Sequence, residues 1–314
     1  MRLLKLVPEN TNIDFISKRV IAFVVTVLLL VVGMGALFTK GLNMGIDFKG
    51  GILVDATYTS PVDVHALRTQ LEPLGLGEVS IQSFGTADNV LIRVQEQAGG
   101  DTANAKAVES IKANLGAGWT YNRAEAVGPT VGAELLKSGI LATVIALALI
   151  TAYVAFRFEW QFGVAALVST FHDVLVSLGL VAVLGWEFNL TTVAALLLLA
   201  GYSVNDTVII FDRLRENLRK YKSKPLTELI NMTTNATLSR TMLTSGTTAL
   251  AILPMFFLGG EALINFTGVI LWGIFIGTFS STYVASALLL YLPPLRMGKG
   301  DVATGLPAAS KTAA

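Results

Sequence analysis

The chain has no cysteine among its 314 residues. Disulfides therefore cannot staple any part of it, and thiolate nucleophiles and Cys-based metal sites are excluded. Histidine is scarce as well: His65 and His172 are the only two, and neither stands in a His-Glu-x-x-His frame. No Gly-x-x-x-x-Gly-Lys-Ser/Thr run is present, so a P-loop for ATP is absent. Charged residues make up 14% of the chain, against roughly a quarter in soluble domains. The net charge of +1 says nothing about partners; no nucleic acid is expected among them. With no nucleophile–base pair and no metal-ligand set, neither an enzyme nor a cofactor is expected.

What is present is apolar. Just over half of the residues are hydrophobic and the mean hydropathy is +0.63. Six segments approach the ~20 residues that a bilayer requires: 20–38, 138–156, 162–184, 190–211, 242–258 and 266–292. The first follows Lys18-Arg19, but its apolar core is longer than a signal-peptide core, so it is expected to remain as an anchor. Lys and Arg set the orientation. Arg2, Lys5, Lys18 and Arg19 precede the first span, and Arg157 follows the second. Arg213, Arg215, Arg219, Lys220, Lys222, Lys224 and Arg240 lie between the fourth and fifth, while loops 185–189 and 259–265 have none. Both termini are thereby expected in the cytoplasm.

That topology exports residues 39–137, enough for one domain. Residues 51–58, 79–84, 90–95 and 119–126 read as strands, and 61–74 and 102–115 as helices. Gly85–Asn89 reads as the loop of a hairpin. The order β-α-β-β-α-β matches a split βαβ, ferredoxin-like plan, with a different α+β sandwich as the second reading. Residues 138–295 hold the other five spans, with a basic cytoplasmic loop at 212–241. A tail at 296–314, rich in Ala, Gly and Thr, reads as disordered.

Asp206 is the most informative residue, a carboxylate inside an apolar stretch that crosses a membrane. Such a group costs several kcal/mol when charged and unpaired, to an order of magnitude, and so usually has a partner or carries an ion. Arg240, at the end of the next span, is the candidate partner. Tyr202 and Ser203 stand one turn before Asp206 on the same face. Two readings stand: an Asp206–Arg240 pair that breaks on protonation, and a static pair that only fixes helix packing. His172 and Asp173 lie mid-span in the third segment, where a network with the Asp206 helix and a satisfied structural pair are both open.

Other motifs read as structural. Gly45-Ile46-Asp47-Phe48-Lys49-Gly50-Gly51 fits a tight turn in which Asp47 bonds nearby amides, with a hinge or a contact to the bundle as the second reading. Gly128 and Pro129 stop the last strand. Gly273, Gly277, Ser281 and Ala285 form a small-residue stripe for close helix packing, inside the bundle or against a partner. Leu226, Leu229, Ile230 and Thr233 follow Pro225 at helical spacing. They fit an amphipathic helix on the inner leaflet, touching membrane lipids.

Taken together, the motifs resemble the SecF family, the smaller membrane subunits of SecDF protein-export complexes. The resemblance rests on Gly45-x-Asp47-Phe48-x-Gly50-Gly51, Val127-Gly128-Pro129-x-Val131-Gly132 and Phe156-Arg157-Phe158-Glu159-Trp160. It is extended by His172-Asp173-Val174, Gly201-Tyr202-Ser203-x-Asn205-Asp206 and Arg240-Thr241-x-x-Thr244-Ser245-Gly246-Thr247-Thr248. It implies a bacterial inner-membrane protein with an RND-like half-bundle, obligately paired with SecD. It also implies that the pair assists SecYEG and SecA by drawing unfolded polypeptide outward with the proton motive force. Asp206 and Arg240 match the positions implicated in ion passage. Alternatives are half of an RND-type efflux or lipid transporter, and a non-conducting assembly factor.

Overall fold

The computed structural model describes residues 11–77, 79–293, 295–297 and 301–303. Along the chain come α1 (Arg19–Thr39), β1 (Asn43–Met44), α2 (Ile46–Lys49), β2 (Gly51–Tyr58), α3 (Val64–Leu71), β3 (Val79–Phe84), β4 (Thr86–Val94), α4 (Asp101–Leu115) and β5 (Trp119–Val127). Then follow α5 (Pro129–Arg157), α6 (Trp160–Leu184), β6 (Glu187–Phe188), α7 (Leu190–Lys220), α8 (Leu226–Leu258) and α9 (Gly260–Phe279). A π-helical turn at Ser280–Ala285 leads into α10 (Ser286–Leu288). Among the described residues, six helical stretches are long and apolar enough to cross a membrane: Ile16–Thr39, Val131–Arg157, Trp160–Leu184, Leu190–Lys220, Leu226–Leu258 and Leu263–Leu288.

Helices α6, α7 and α9 form an inner row, and α1, α5 and α8 flank it with mostly exposed apolar faces. Glycine permits the close crossings. A Cβ on Gly33 would sit 2.9 Å from the Gly179 Cα, so α1 meets α6 backbone to backbone. Of the two partners open to the small-residue stripe, α9 takes the interior one. A Cβ on Gly273 would strike Leu199 and one on Gly277 would crowd Ser203, both on α7, while Ser281 and Ala285 are buried in the π turn.

The region expected as a loop at 212–241 is instead a helical hairpin. At 33 residues, α8 spans roughly 50 Å, well beyond a ~30 Å hydrocarbon core. Leu226, Leu229 and Ile230 do not lie on a leaflet; they are fully buried in one cluster with Leu214 and Leu218 of α7. The reason is complementarity: two apolar stripes at helical spacing cover each other, and Asn217 Nδ2 donates to Thr233 Oγ1 across the seam at 2.9 Å. Asn231 and Asn235 of α8 then grip the chain before α1. Asn235 exchanges two hydrogen bonds with the Ile13 backbone, and Asn231 accepts from Phe15 and Ile16.

At the opposite end, hereafter the domain side, sits the α+β unit. Its sheet order is β3-β4-β2-β5 with every neighbour antiparallel. Alternation along the strands assigns the two faces. Ile52, Val54, Ala56 and Ile92 pack under α3 and α4 with Leu67, Leu71 and Ile111. Leu53 and Leu91 on the other face pack on Ile46 of α2. The hairpin expected over 85–89 is tighter, because Gly85 alone turns at φ +76° and β4 begins at Thr86. Of the tail expected to be disordered, 296–297 and 301–303 belong to two short paired strands, β7 (Leu295–Met297) and β8 (Asp301–Ala303); 298–300 and 304–314 lie outside the described residues.

Candidate functional site

Among the described residues, two carboxylates are buried in the inner row. Asp173, on α6, is fully buried. The Ser203 hydroxyl of α7 donates to its Oδ2 at 2.5 Å, and the Ser280 hydroxyl donates to the same oxygen at 2.6 Å. His172 Nδ1 stands 2.9 Å from Oδ1. Asp173 thus ties three helices. Ser280 opens the π turn, and the extra residue per turn that such a segment carries is a frequent mark of functional sites. Sequence reasoning did not single out Ser280, since a serine in an apolar span carries no signal of its own. Its spacing of three from Gly277 was the only hint.

Asp206 lies one turn further along α7, at 1% exposure. Both of its carboxylate oxygens are buried, and among the described residues neither is in hydrogen-bonding geometry with a protein group, although the Ser245 hydroxyl lies close enough to act on the carboxylate. The hydroxyls beside it are already engaged: Tyr202 donates to Ser245 Oγ at 3.2 Å, and Ser245 Oγ bonds Thr278 Oγ1 at 2.8 Å. Arg240 is near enough to act on Asp206 through its field, but no ion pair joins them among the described residues. The buried stripe of α8 runs through Thr237, Thr241 and Ser245, and Arg240 falls beside it. There it is exposed and lines a groove with Tyr153, Arg157, Asp212 and Glu216. Asn205 is exposed on the outer side of α7. Ser169, Thr170 and Ser177 stand one turn either side of Asp173, and their hydroxyls, like Thr241 Oγ1 and His172 Nε2, are buried without a protein partner. A domain ordinarily leaves only a few such groups unpaired; several of those among the described residues lie on the helices that carry the carboxylates, and others are spread over the α+β unit and the outer spans.

The glycine motif builds a junction on the domain side. The Asp47 carboxylate does not bond its neighbours; Oδ2 accepts from the Leu190 amide at 2.9 Å and so caps α7 from 143 residues away. The Gly45 amide donates to the Phe188 carbonyl, and β1 pairs in parallel with β6. Arg93 of β4 forms an ion pair with Glu187. Burial pushes the Glu187 carboxyl above its ordinary value; Arg93 and Arg123 oppose the shift and Asp47 adds to it. Gly50 and Gly51 take φ +74° and +124°, which favour glycine. Gly128 precedes Pro129 at the first turn of α5, and a Cβ on nearby Gly132 would lie 2.9 Å from the Phe48 carbonyl oxygen.

A row of membrane-length helices with ionisable groups in its interior, fixed at one end to an α+β unit, defines a multi-pass membrane protein with intramembrane carboxylates. Residues 107–294 match the family model for the C-terminal part of the protein export membrane proteins SecD/SecF, and 35–62 match the SecD/SecF GG motif. Protein translocase subunit SecF of Rhodobacter capsulatus is 42% identical over 304 residues, covering 92% of this chain and 91% of that one. Its counterpart from Pseudomonas aeruginosa is 42% identical over 283 residues, covering 90% and 92%. The crystal structure of SecDF, a translocon-associated membrane protein from Thermus thermophilus, superposes with a TM-score of 0.81 at 38% identity. That match covers 91% of this chain and 39% of the SecDF chain. The chain belongs to the SecF family of protein translocase subunits.

Proposed function

We propose that this chain is the ion-coupled half of a SecD–SecF pair that draws polypeptide outward from the translocon. The observation that carries the reading is Asp206, a carboxylate with no solvent contact and no hydrogen-bond partner on either oxygen. A group so placed has room for an arriving proton or ion, and intramembrane carboxylates of this kind mark ion pathways. Asp173, with His172, Ser203 and Ser280, is the neighbouring station, reached through Ser203, one turn before Asp206 on α7. Arg240 is the counter-charge that Asp206 meets when the helices shift. Moving one charge across the bilayer is worth roughly 2.3 kcal/mol per 100 mV, so a few protons suffice to bias a domain motion.

In this reading the chain sits in the bacterial inner membrane with both termini cytoplasmic, and the α+β unit faces outward. The strand order β3-β4-β2-β5 with two helices on one face supports a ferredoxin-like assignment for that unit. The partner is a SecD-type subunit that supplies the other half of the bundle, and the pair assists SecYEG and SecA. No covalent reaction is catalysed. The test is Asp206→Asn, co-expressed with SecD and assayed in inverted membrane vesicles. The variant is expected to keep its SecD partner and SecA-driven, ATP-dependent export while losing the part of export that responds to the membrane potential. Full potential-dependent export would rule out Asp206 as the carrier.

A further inference from the structure

The structure points to Asp47 as the residue that transmits movement of α7 to the α+β domain, and we propose it as a positioning residue for export. The inference rests on the ion-coupling reading of Asp206. Asp206 and Leu190 belong to one uninterrupted helix, 16 residues and roughly 24 Å apart. The amide at the head of that helix is bonded to a carboxylate from another segment. A local cap was available, since Asn189 already accepts from the Thr192 amide. That local cap serves one of the orphan amides at the helix start; the Asp47 bond serves another and does something a local cap does not, because it fastens α7 to α2.

From Asp47 the connection continues without slack. Only Phe48, Lys49 and Gly50 separate it from β2, the strand that pairs on both sides within the sheet. Phe48 packs on Phe188 with ring centroids 5.5 Å apart. Gly51 admits no side chain, because a Cβ there would lie 2.7 Å from the Val94 carbonyl oxygen of the next strand. On the other flank the Phe48 carbonyl abuts Gly132 at the head of α5. The short helix α2 is thus wedged between two spans and the sheet. Its one side-chain hydrogen bond to α7 comes from Asp47, and a negative charge at a helix N-terminus is also favoured by the helix dipole. A displacement of α7 along its axis pulls or releases Asp47 and carries β2 with it.

The bond has two ends, and each is removable by itself. Asp47→Ala deletes the acceptor. Leu190→Pro deletes the donor at the first helical position, where proline is tolerated and the preceding Asn189 is already extended. Asp47→Asn keeps an acceptor oxygen. The chain has no cysteine, so Thr69→Cys on the domain and Ala194→Cys on α7, both exposed, give two defined spin-label sites. The complex with SecD is reconstituted in vesicles, and the label–label distance is measured before and after a proton or sodium gradient is imposed. Ion uptake is followed in parallel. The unmutated junction is expected to show a gradient-dependent distance change. Asp47→Ala and Leu190→Pro are each expected to lose that change while uptake continues, and Asp47→Asn is expected to retain it. A wild-type distance response in both Asp47→Ala and Leu190→Pro overturns the proposal. A wild-type response in Asp206→Asn instead overturns the ion-coupling reading on which it rests, so the two failures are told apart.

Discussion

Asp173 on α6 and Asp206 on α7 stand in the same row of helices, both buried, and their surroundings are opposite. Three donors from three elements converge on Asp173. None reaches Asp206. The difference follows from helix geometry. Ser203 faces α6 and spends its hydroxyl on Asp173; three residues later α7 has turned by about 300°, which aims Asp206 towards α8. There Ser245 is the hydroxyl within reach, and it already serves Tyr202 and Thr278. One carboxylate is therefore a knot that holds helices together, and the other is an open position beside it. Burial alone does not distinguish structure from function; the inventory of partners does.

The comparison is broken most directly by removing each carboxylate. Asp173→Ala leaves the Ser203 hydroxyl and the His172 ring buried without their acceptor, while the Ser280 hydroxyl falls back on the Gly277 carbonyl alone. At about 1–3 kcal/mol for each orphaned group in water, and less where a membrane reference state finds other partners, the total cost is on the order of 3 kcal/mol. Asp206→Ala orphans no donor held in hydrogen-bonding geometry and should cost less, on the order of 1 kcal/mol. Thermal melting of the purified protein in detergent measures both. Equal losses would mean that Asp206 has partners the geometry does not reveal, and the contrast would fall.

A second variant sharpens the same contrast through its backbone setting. A Cβ on Gly277 would lie 3.2 Å from the Ser203 Cβ, so Gly277→Leu pushes on the serine that serves Asp173. Overpacking of this kind typically costs about 1–3 kcal/mol. Because the two changes share Ser203, Gly277→Leu combined with Asp173→Ala should cost less than the sum of the singles. Gly201→Leu, where nothing lies within 4 Å, should leave the melting temperature of the isolated chain unchanged. Strict additivity in the double variant would show that Gly277 acts elsewhere on the seam.

Much of this was legible in the sequence, for reasons that also mark its limit. Apolar runs have a length scale set by the bilayer, so the six spans stood out, and alternation exposed the four strands. Asp206 was conspicuous because a lone carboxylate in hydrocarbon is rare. What sequence did not reveal is partnership. The Leu226–Ile230 stripe has the same periodicity whether it lies on lipid or on Leu214 and Leu218, so an interfacial helix and a hairpin look alike. Asp47 read as a turn residue because turn aspartates bond nearby amides; nothing local points to Leu190. Arg240 and Asp206 are placed at similar depth by topology, yet rotation about α8 decides whether they touch, and a one-residue phase is below what periodicity resolves.

Glu187 sits between the two extremes and gives the smallest effect. It is largely buried, has one cationic partner in Arg93, and feels Arg123 and Asp47 as well. Burial raises its pKa above the ordinary 4.5, Arg93 and Arg123 counter it, and Asp47 reinforces it. The folded protein therefore holds this proton more tightly than the unfolded chain. The resulting stabilisation is complete below pH 4.5 and is lost as pH rises through the raised folded value. Measured against Glu187→Gln, which is neutral throughout, wild-type protein should gain melting temperature as pH is lowered from 7 towards 4.5, by on the order of 2 °C. The opposite slope, with wild type losing ground on acidification, would mean that the Arg93 ion pair outweighs desolvation. Glu187 would then belong with Asp173 among the carboxylates whose partners compensate their burial.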